Sequence, residues 1–295
     1  MGIFKKLILG FVFFIISLVY IPCIAAEAVS QVRGQSINGS TGLYSIPSGR
    51  IGWEDKGNFA MDLGYRAIIN NYGGIAHIPA VTLSLFNWVE ISSAYDIQPK
   101  IDFISINEDN EEIIEAQNNE DLLLGIKIRL TNNNPAVALG SNFQLINLTN
   151  KNDYDYVAYQ PYFAITYAGN FLNTKSETSV VFGKTFYTHG PVNNSDIDFG
   201  MGLDIIIFDD VFGDAVHWLI DFANFSYSDN AWSNELVHGT GAAWYRGALN
   251  TGLRINLAAI PVLSNFKFII DLFFNDLFDS GGRSFTIGTV FGVSP

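Results

Sequence analysis

The feature that most constrains this chain is an alternation of apolar with polar or small residues, which recurs in segments of about ten residues. It is clearest near the C-terminal end, in residues 266–275 and 284–293. One face of the first segment carries Phe266, Phe268, Ile270, Leu272 and Phe274. One face of the second carries Phe285, Ile287, Thr289, Phe291 and Val293. Because successive side chains of a β-strand point to opposite faces, this period of two predicts strands.

The same alternation predicts about twelve strands, within a range of about ten to fourteen, because boundaries inferred from sequence shift by a few residues. Pro99 interrupts the third strand, since proline cannot donate a hydrogen bond to a sheet. The predicted strands cover residues 57–66, 80–86, 89–106, 122–130, 136–148, 154–167, 178–187, 199–208, 215–227, 245–258, 266–275 and 284–293.

The composition indicates that one face of these strands is suited to lipid. Apolar residues make up 48% of the chain and charged residues only 15%, whereas ordinary globular domains carry about 25% charged residues. Aromatic residues reach 14%, with 24 Phe and 13 Tyr. A barrel that faces lipid needs an apolar outer band flanked by aromatic side chains. A soluble, Phe-rich β-protein is the alternative that this composition leaves open.

The N-terminal residues have the pattern of a secretory signal, which we predict to span residues 1–28. Lys5 and Lys6 precede an apolar run at residues 7–21, and Ala26-Glu27-Ala28 has the pattern of an A-x-A cleavage site, with cleavage after Ala26 as the alternative. Cys23 is the only cysteine, and Pro22 before it is a poor residue for a lipoprotein signal. The mature chain is therefore expected to contain no disulfide and no cysteine metal site.

Beyond this signal no run of 18 apolar residues occurs, which argues against a transmembrane helix. A chain that enters a membrane without such a helix must do so as a closed barrel, because only helices and closed barrels satisfy their backbone groups in lipid. We therefore predict an all-β, transmembrane, antiparallel up-and-down barrel at residues 57–295 in the cell outer membrane. Residues 29–56 are predicted to be a periplasmic or lumen segment. The alternative is a secreted or periplasmic all-β binding protein.

The predicted connections alternate between longer and shorter ones, as expected for outward loops and periplasmic turns of such a barrel. The short 149–153 and the long 168–177 are exceptions to this alternation. The predicted outward loops are 67–79, 107–121, 149–153, 188–198, 228–244 and 276–283. The predicted periplasmic turns are 87–88, 131–135, 168–177, 209–214 and 259–265.

The strand face opposite the apolar one carries charges of both signs, which we predict to line the barrel lumen. Such charges can pair and partly plug a barrel, or they can form the transverse field of a narrow pore. The sequence leaves both alternatives open. The predicted lumen residues are Asp62, Arg66, Glu90, Lys127, Arg129, Asp204, Asp221, Arg254, Asn256, Lys267 and Asp271.

A short motif precedes the first strand. Residues 40–50 read STGLYSIPSGR, and Gly49 stands where a small residue before the arginine is usual. This resembles the N-terminal signature of YjbH-like outer-membrane proteins, which are linked to exopolysaccharide export. The resemblance covers this motif and the general strand layout. It implies an outer-membrane barrel associated with polysaccharide-export components.

The sequence argues against catalysis and cofactors. It contains no nucleophile elbow, phosphate-binding loop or dinucleotide fingerprint, and no two of its four histidines have the spacing of a metal pair. A barrel-wall hydrolase is the third hypothesis, although no Ser–His pair is singled out by spacing. The net charge of −13 argues against nucleic acid. The predicted partners are outer-membrane lipid, the barrel insertion machinery and small solutes, and the predicted function is a narrow passive channel or a structural envelope component.

Overall fold

The computed structural model describes residues 33–53, 58–70, 74–99, 101–106, 112–117, 120–131, 133–147, 156–187, 197–225, 247–257, 266–278 and 283–294. Within these ranges the chain is almost entirely β-structure. The elements are β1 (Phe59–Asn70), β2 (Ile75–Leu85), β3 (Val89–Ile97), β4 (Ile101–Ile106), β5 (Glu112–Gln117), β6 (Glu120–Thr131), β7 (Ala136–Asn147), β8 (Tyr156–Phe171), β9 (Thr174–Gly183), β10 (Phe186–Tyr187), β11 (Asp198–Ile206), α1 (Asp209–Phe212), β12 (Val216–Ala223), β13 (Ala248–Asn256), β14 (Phe266–Asn275) and β15 (Ser284–Val293).

Twelve of these strands form one closed antiparallel barrel. Each pairs with its neighbours along the chain, and β1 pairs with β15 to close the ring. The two-residue strand β10 adds to one end of β8, while β4 and β5 form a separate hairpin between β3 and β6. The predicted all-β barrel of about twelve strands is confirmed. Ring closure excludes the two-sheet sandwich, since no strand of the ring is left with an unpaired edge.

One predicted loop, 67–79, is wrong. β1 continues to Asn70 and β2 begins at Ile75, so most of the loop is strand. The structure pairs these extensions in register, for example Ala67 with His77. Asn-rich sequence near the turn led the prediction to end the first strand too early, whereas apolar residues continue on its outward face.

The predicted connection 168–177 is also wrong. β8 runs to Phe171 and β9 starts at Thr174, which leaves a two-residue turn. Leu172 and Asn173 have φ of 50° and 67°, and positive φ at both central residues is typical of tight hairpin turns. Lys175 and Glu177 lie on the inward-facing set of positions, so the two charges of this stretch belong to one face of a strand.

The acidic stretch 107–121 is only partly a loop. β5 covers Glu112–Gln117, and β6 begins at Glu120. Residues 107–111 and 118–119 lie outside the described residues, as do the predicted signal and most of the predicted loops 149–153, 188–198 and 228–244. Asp209–Phe212 forms a short helical turn between β11 and β12.

The outward face of the barrel is apolar. Among the described barrel-strand side chains, Glu120 is the only charged one at an outward position, and it is the first residue of β6. In the described ranges no helix is long and apolar enough to cross a bilayer. Large apolar side chains exposed on the outward face of the strands include Phe59, Leu63, Ile69, Ile91, Leu124, Ile126, Ile128, Leu139, Phe143, Met201, Leu253, Phe268, Ile287 and Phe291.

Candidate functional site

The interior of the barrel is occupied by residues 33–53, called the plug below. Every residue of this segment is buried. The plug is folded into small turns by its own backbone, with Ser36 N donating to Ser40 O at 2.7 Å and Ile37 N to Tyr44 O at 2.7 Å. Ser48 N donates to Thr41 O at 3.0 Å. These bonds make the plug a compact body, although it contains no helix or long strand.

The plug contacts all twelve strands of the barrel wall and therefore extends across the full width of the lumen. Most of these contacts are hydrogen bonds or ion pairs, and the contact with β11 is apolar. The wall residues contacted are Asp62, Thr82, Glu90, Lys127, Asn142, Thr166, Glu177, Gly202, Asp221, Asn250, Arg254, Lys267 and Thr286.

An apolar part of the plug packs where the wall is lined by small residues. A Cβ added to Gly200 would lie 2.5 Å from Cγ2 of Ile46, and one added to Gly202 would lie 2.7 Å from Cδ2 of Leu43. The Tyr44 ring lies 4.8 Å from the Phe273 ring between centroids. Burial raises the pKa of the Tyr44 hydroxyl, so this group stays protonated and bonds to Thr286 at 3.1 Å.

A buried ion pair holds the C-terminal end of the plug. Lys267 Nζ donates to Asp62 Oδ2 at 2.7 Å and to Gly52 O at 3.2 Å. Trp53 Nε1 donates to the other carboxylate oxygen of Asp62 at 2.7 Å. The Lys267 ammonium also lies 4.8 Å from the centroid of the Trp53 ring, a distance at which a cation and an aromatic face attract.

Two arginines bind backbone oxygens of the plug. Arg254 donates to both oxygens of Asp271, at 2.8 and 3.1 Å, and to Gly42 O at 2.9 Å. Arg66 lies 3.7 Å from Asp271 and donates to Ser36 O at 3.0 Å. Gln35 O accepts from both arginines. A guanidinium presents five donors in a fixed fork. Each arginine can therefore interact with the shared Asp271 carboxylate of the wall and with the plug at the same time.

Two wall carboxylates bind the middle of the plug by accepting hydrogen bonds from its backbone and hydroxyl groups. Glu90 accepts from Thr41 N at 2.7 Å and from Thr41 Oγ1 at 2.5 Å. Lys127 Nζ forms an ion pair with Glu90 Oε1 at 3.0 Å and also donates to Thr41 O. Asp221 accepts from Ser45 N at 2.7 Å and from Ser45 Oγ at 3.1 Å.

The predicted lumen residues do not include Glu177, a wall residue that forms two ion pairs with the plug. Glu177 pairs with Arg33 and, at 3.0 Å, with Arg50, and both arginines belong to the plug. Glu177 was assigned to a connection, so its inward position could not be inferred. Strict alternation extended through residues 174–183 would have placed Glu177, Ser179 and Val181 on one face.

All eleven predicted lumen residues lie at inward positions of their strands. Besides those already described, Arg129 is buried, with its guanidinium carbon 5.4 Å from the centroid of the Trp88 ring. Asp204 bonds to His217 Nδ1 at 2.6 Å, and Asn256 is buried at the end of β13. In the described part of the chain no group of three His, Cys, Asp or Glu side chains could hold a metal ion.

No protein-family model matches the sequence, and a comparison with curated proteins finds no match. Among solved structures, the KdgM porin matches with a TM-score of 0.42 and 9% identity, over 79% of this chain and 99% of that chain. LpxR from Salmonella typhimurium matches with a TM-score of 0.41 and 11% identity, over 79% and 99%. The Acinetobacter baumannii outer membrane protein Omp33 matches with a TM-score of 0.39 and 10% identity, over 81% and 99%.

At these identities the likeness concerns the barrel fold alone. The resemblance of residues 40–50 to YjbH-like proteins stays a prediction. In the structure those residues form the centre of the plug, where Thr41, Tyr44 and Ser45 contact opposite walls.

Proposed function

We propose that this chain is a passive channel of the outer membrane that is held closed by its own residues 33–53. The observation that carries the proposal is the combination of an apolar, almost uncharged outward face with a lumen filled by a polar plug. An apolar outer surface around a closed barrel is stable in lipid and unfavourable in water. A protein of this kind needs export and the barrel insertion machinery, in line with the signal predicted at residues 1–28.

The wall residues that hold the plug are the proposed pore lining. With the plug displaced, Arg66, Lys127, Arg254 and Lys267 would lose backbone acceptors, while Glu90 and Asp221 would lose donors. Water and solute would replace those partners. A lumen that presents both signs of charge on different walls favours small polar solutes over apolar ones.

The closed state is expected to predominate in the isolated protein. The plug groups bound to the wall are paired with buried partners, and breaking a hydrogen bond to a charged group costs about 1.5–3 kcal/mol. Opening therefore requires a trigger that binds the displaced plug or the vacated lumen. The resemblance at residues 40–50 suggests polysaccharide-export components as that partner, and co-purification from envelope extracts tests this finer proposal.

The proposed function involves no catalysis. His217 bonds to Asp204 and to Asp214 O, so both of its ring nitrogens have structural partners. The spacing of the four histidines argues against a metal site. Two of them, His189 and His238, lie outside the described residues.

Conductance in planar lipid bilayers tests the proposal. The intact chain is expected to show rare, small openings, and a chain lacking residues 33–53 is expected to show long-lived, larger steps. If the deletion prevents folding, the double variant Thr41→Ala/Ser45→Ala replaces it, because it removes two plug hydroxyls bound to Glu90 and Asp221. The matched control is Ser93→Ala/Thr289→Ala, which removes two outward hydroxyls. A folded chain without the plug that conducts no more than the intact chain would overturn the proposal.

A further inference from the structure

Four polar side chains meet on the inward face of the barrel at the ends of β3, β6 and β7. Asp96 and Asp121 are direct cross-strand partners, which places their Cβ atoms about 5 Å apart. Gln98 Nε2 donates to both oxygens of Asp96, at 2.7 and 2.9 Å. Gln144 Nε2 donates to Asp121 Oδ2 at 2.7 Å. The two carboxylates and two amides are called the rim cluster below.

The two carboxylates of the rim cluster have no basic partner among the described residues. The bonds described for Asp96 and Asp121 come from the two glutamine amides alone. Lys127, the next basic residue along β6, is six positions away, or about 20 Å, and pairs with Glu90. Two adjacent carboxylates repel each other, the more so because Asp96 is buried, and a proton or a cation between them relieves that repulsion.

Each glutamine of the cluster also carries a buried oxygen that has no hydrogen-bond donor among the described residues. Gln98 and Gln144 are only 6% and 5% exposed, and within the described ranges Oε1 of each accepts no hydrogen bond. Each oxygen is attached to the same carbon as the nitrogen that donates to a carboxylate, so it lies beside the cluster too. A half-turn of either terminal amide exchanges nitrogen and oxygen and presents the oxygen to the carboxylates. Buried carbonyl oxygens without donors are unfavourable unless a ligand satisfies them.

We propose that the rim cluster binds a hard divalent cation, with Ca²⁺ as the best match. Carboxylates and amide carbonyls are the oxygen ligands that Ca²⁺ takes in proteins, and its flexible coordination tolerates a site made from three neighbouring strands. The ligands are the carboxylates of Asp96 and Asp121 and the Oε1 atoms of Gln98 and Gln144, with water completing the shell. Mg²⁺ is a poorer match, because it demands a regular octahedron and gives up water reluctantly.

The position of the cluster makes it accessible from the barrel mouth. Asp96 and Asp121 are one residue pair from the last pair of β3 and β6, Ile97 with Glu120. On the outward face at this level Tyr95 OH donates to Glu120, so the level is polar on both sides. The plug reaches as far as Asn142, which accepts from Asn38 at 3.0 Å, and Gln144 lies two residues closer to the mouth.

A bound cation would join three strands at the place where the long connection between β3 and β6 leaves the barrel. It would thereby stiffen the rim at the entrance to the plugged lumen. This inference stands on the fold and does not need the plug to move, so it can fail or succeed independently of the proposed channel.

Isothermal titration calorimetry of the purified, detergent-folded chain with CaCl₂ after EGTA treatment tests the inference. The intact chain is expected to show one saturable Ca²⁺ site that Mg²⁺ fills at least about tenfold more weakly. In Asp96→Asn/Asp121→Asn, affinity is expected to fall at least about tenfold, because both anionic ligands are lost. The matched control, Asp209→Asn/Asp210→Asn, removes two exposed acids at the opposite end of the barrel and is expected to bind as the intact chain does.

Thermal unfolding supplies a second readout. Ca²⁺ is expected to raise the unfolding temperature of the intact chain and of the control, and to leave that of the rim variant unchanged. Should the rim variant fail to fold, Gln144→Met takes its place, since it removes one proposed ligand and no charge. Absence of saturable binding by the intact chain, or unchanged binding by a folded rim variant, would overturn the inference.

Discussion

Lys267 Nζ lies 2.7 Å from Oδ2 of Asp62, and both side chains are buried inside the barrel between wall and plug. The two residues stand on strands that are not neighbours, β14 and β1, with β15 between them. The pair also binds Gly52 O and the Trp53 ring nitrogen of the plug. Asp62 and Lys267 therefore connect two non-adjacent strands of the wall to the C-terminal end of the plug.

Lys267→Met is expected to destabilise the barrel by about 3–5 kcal/mol, because it leaves the Asp62 carboxylate buried without its cation. Denaturant unfolding in detergent, followed by tryptophan fluorescence, measures this change. Arg283→Met, which removes an exposed loop cation, is the control and should have little effect. The double variant Asp62→Asn/Lys267→Met is expected to recover part of the loss. Equal stability of Lys267→Met and the control would contradict a buried pair.

Gly200→Leu is expected to displace the plug, since a Cβ at this position would already lie 2.5 Å from Cγ2 of Ile46. Overpacking of this kind costs about 1–3 kcal/mol. The reporter is Ser48→Cys, a buried plug residue, whose reaction with a polar maleimide should become faster. The only native cysteine, Cys23, falls within the predicted signal.

Met201→Leu is the matched control for that experiment, because Met201 is on the outward face of the same strand and is 47% exposed. Its maleimide reaction should equal that of the reporter alone. An unchanged rate in folded Gly200→Leu would show that Ile46 does not occupy the space beside Gly200.

Ile126→Lys is expected to impair membrane insertion. Ile126 is on the outward face near the middle of β6 and is 43% exposed, and a lysine facing lipid at that depth costs about 2–4 kcal/mol. Glu120→Lys at the start of the same strand should cost at most about 1 kcal/mol, since it lies near the interface. The measurement is the fraction of each variant recovered folded from lipid vesicles. If Ile126→Lys folded as well as Glu120→Lys, the outward face could not be the lipid face.

Most of the fold could be predicted from the alternating pattern of the strands. Residues 266–275 and 284–293 each have one face that is apolar apart from Thr289, and both form strands with those bounds. The connection 168–177 could not be located in the same way, because its tight turn uses Leu172 and Asn173, which lack the glycine that usually marks such a turn. Lys175 and Glu177 in the following strand also resemble a polar loop when the face they occupy is unknown.

The lumen was harder to infer than the wall. Charges such as Asp62 and Lys267 signal an inward face by type, but nothing in the sequence indicates which charge meets which. The partners on the plug are often backbone atoms, such as Thr41 O and Gly42 O, and backbone atoms carry no sequence signal. Uncharged wall partners such as Thr82 and Asn142 have the same limitation, so the contacts of residues 33–53 could be described only from the structure.

The most direct test of a closed transmembrane barrel is the gel mobility of the mature protein from membrane fractions, compared before and after boiling. The protein is expected in the outer-membrane fraction, with an unboiled band that migrates differently from the boiled one because the closed ring resists detergent. A soluble protein with a single mobility would contradict the membrane barrel, and with it the proposed channel.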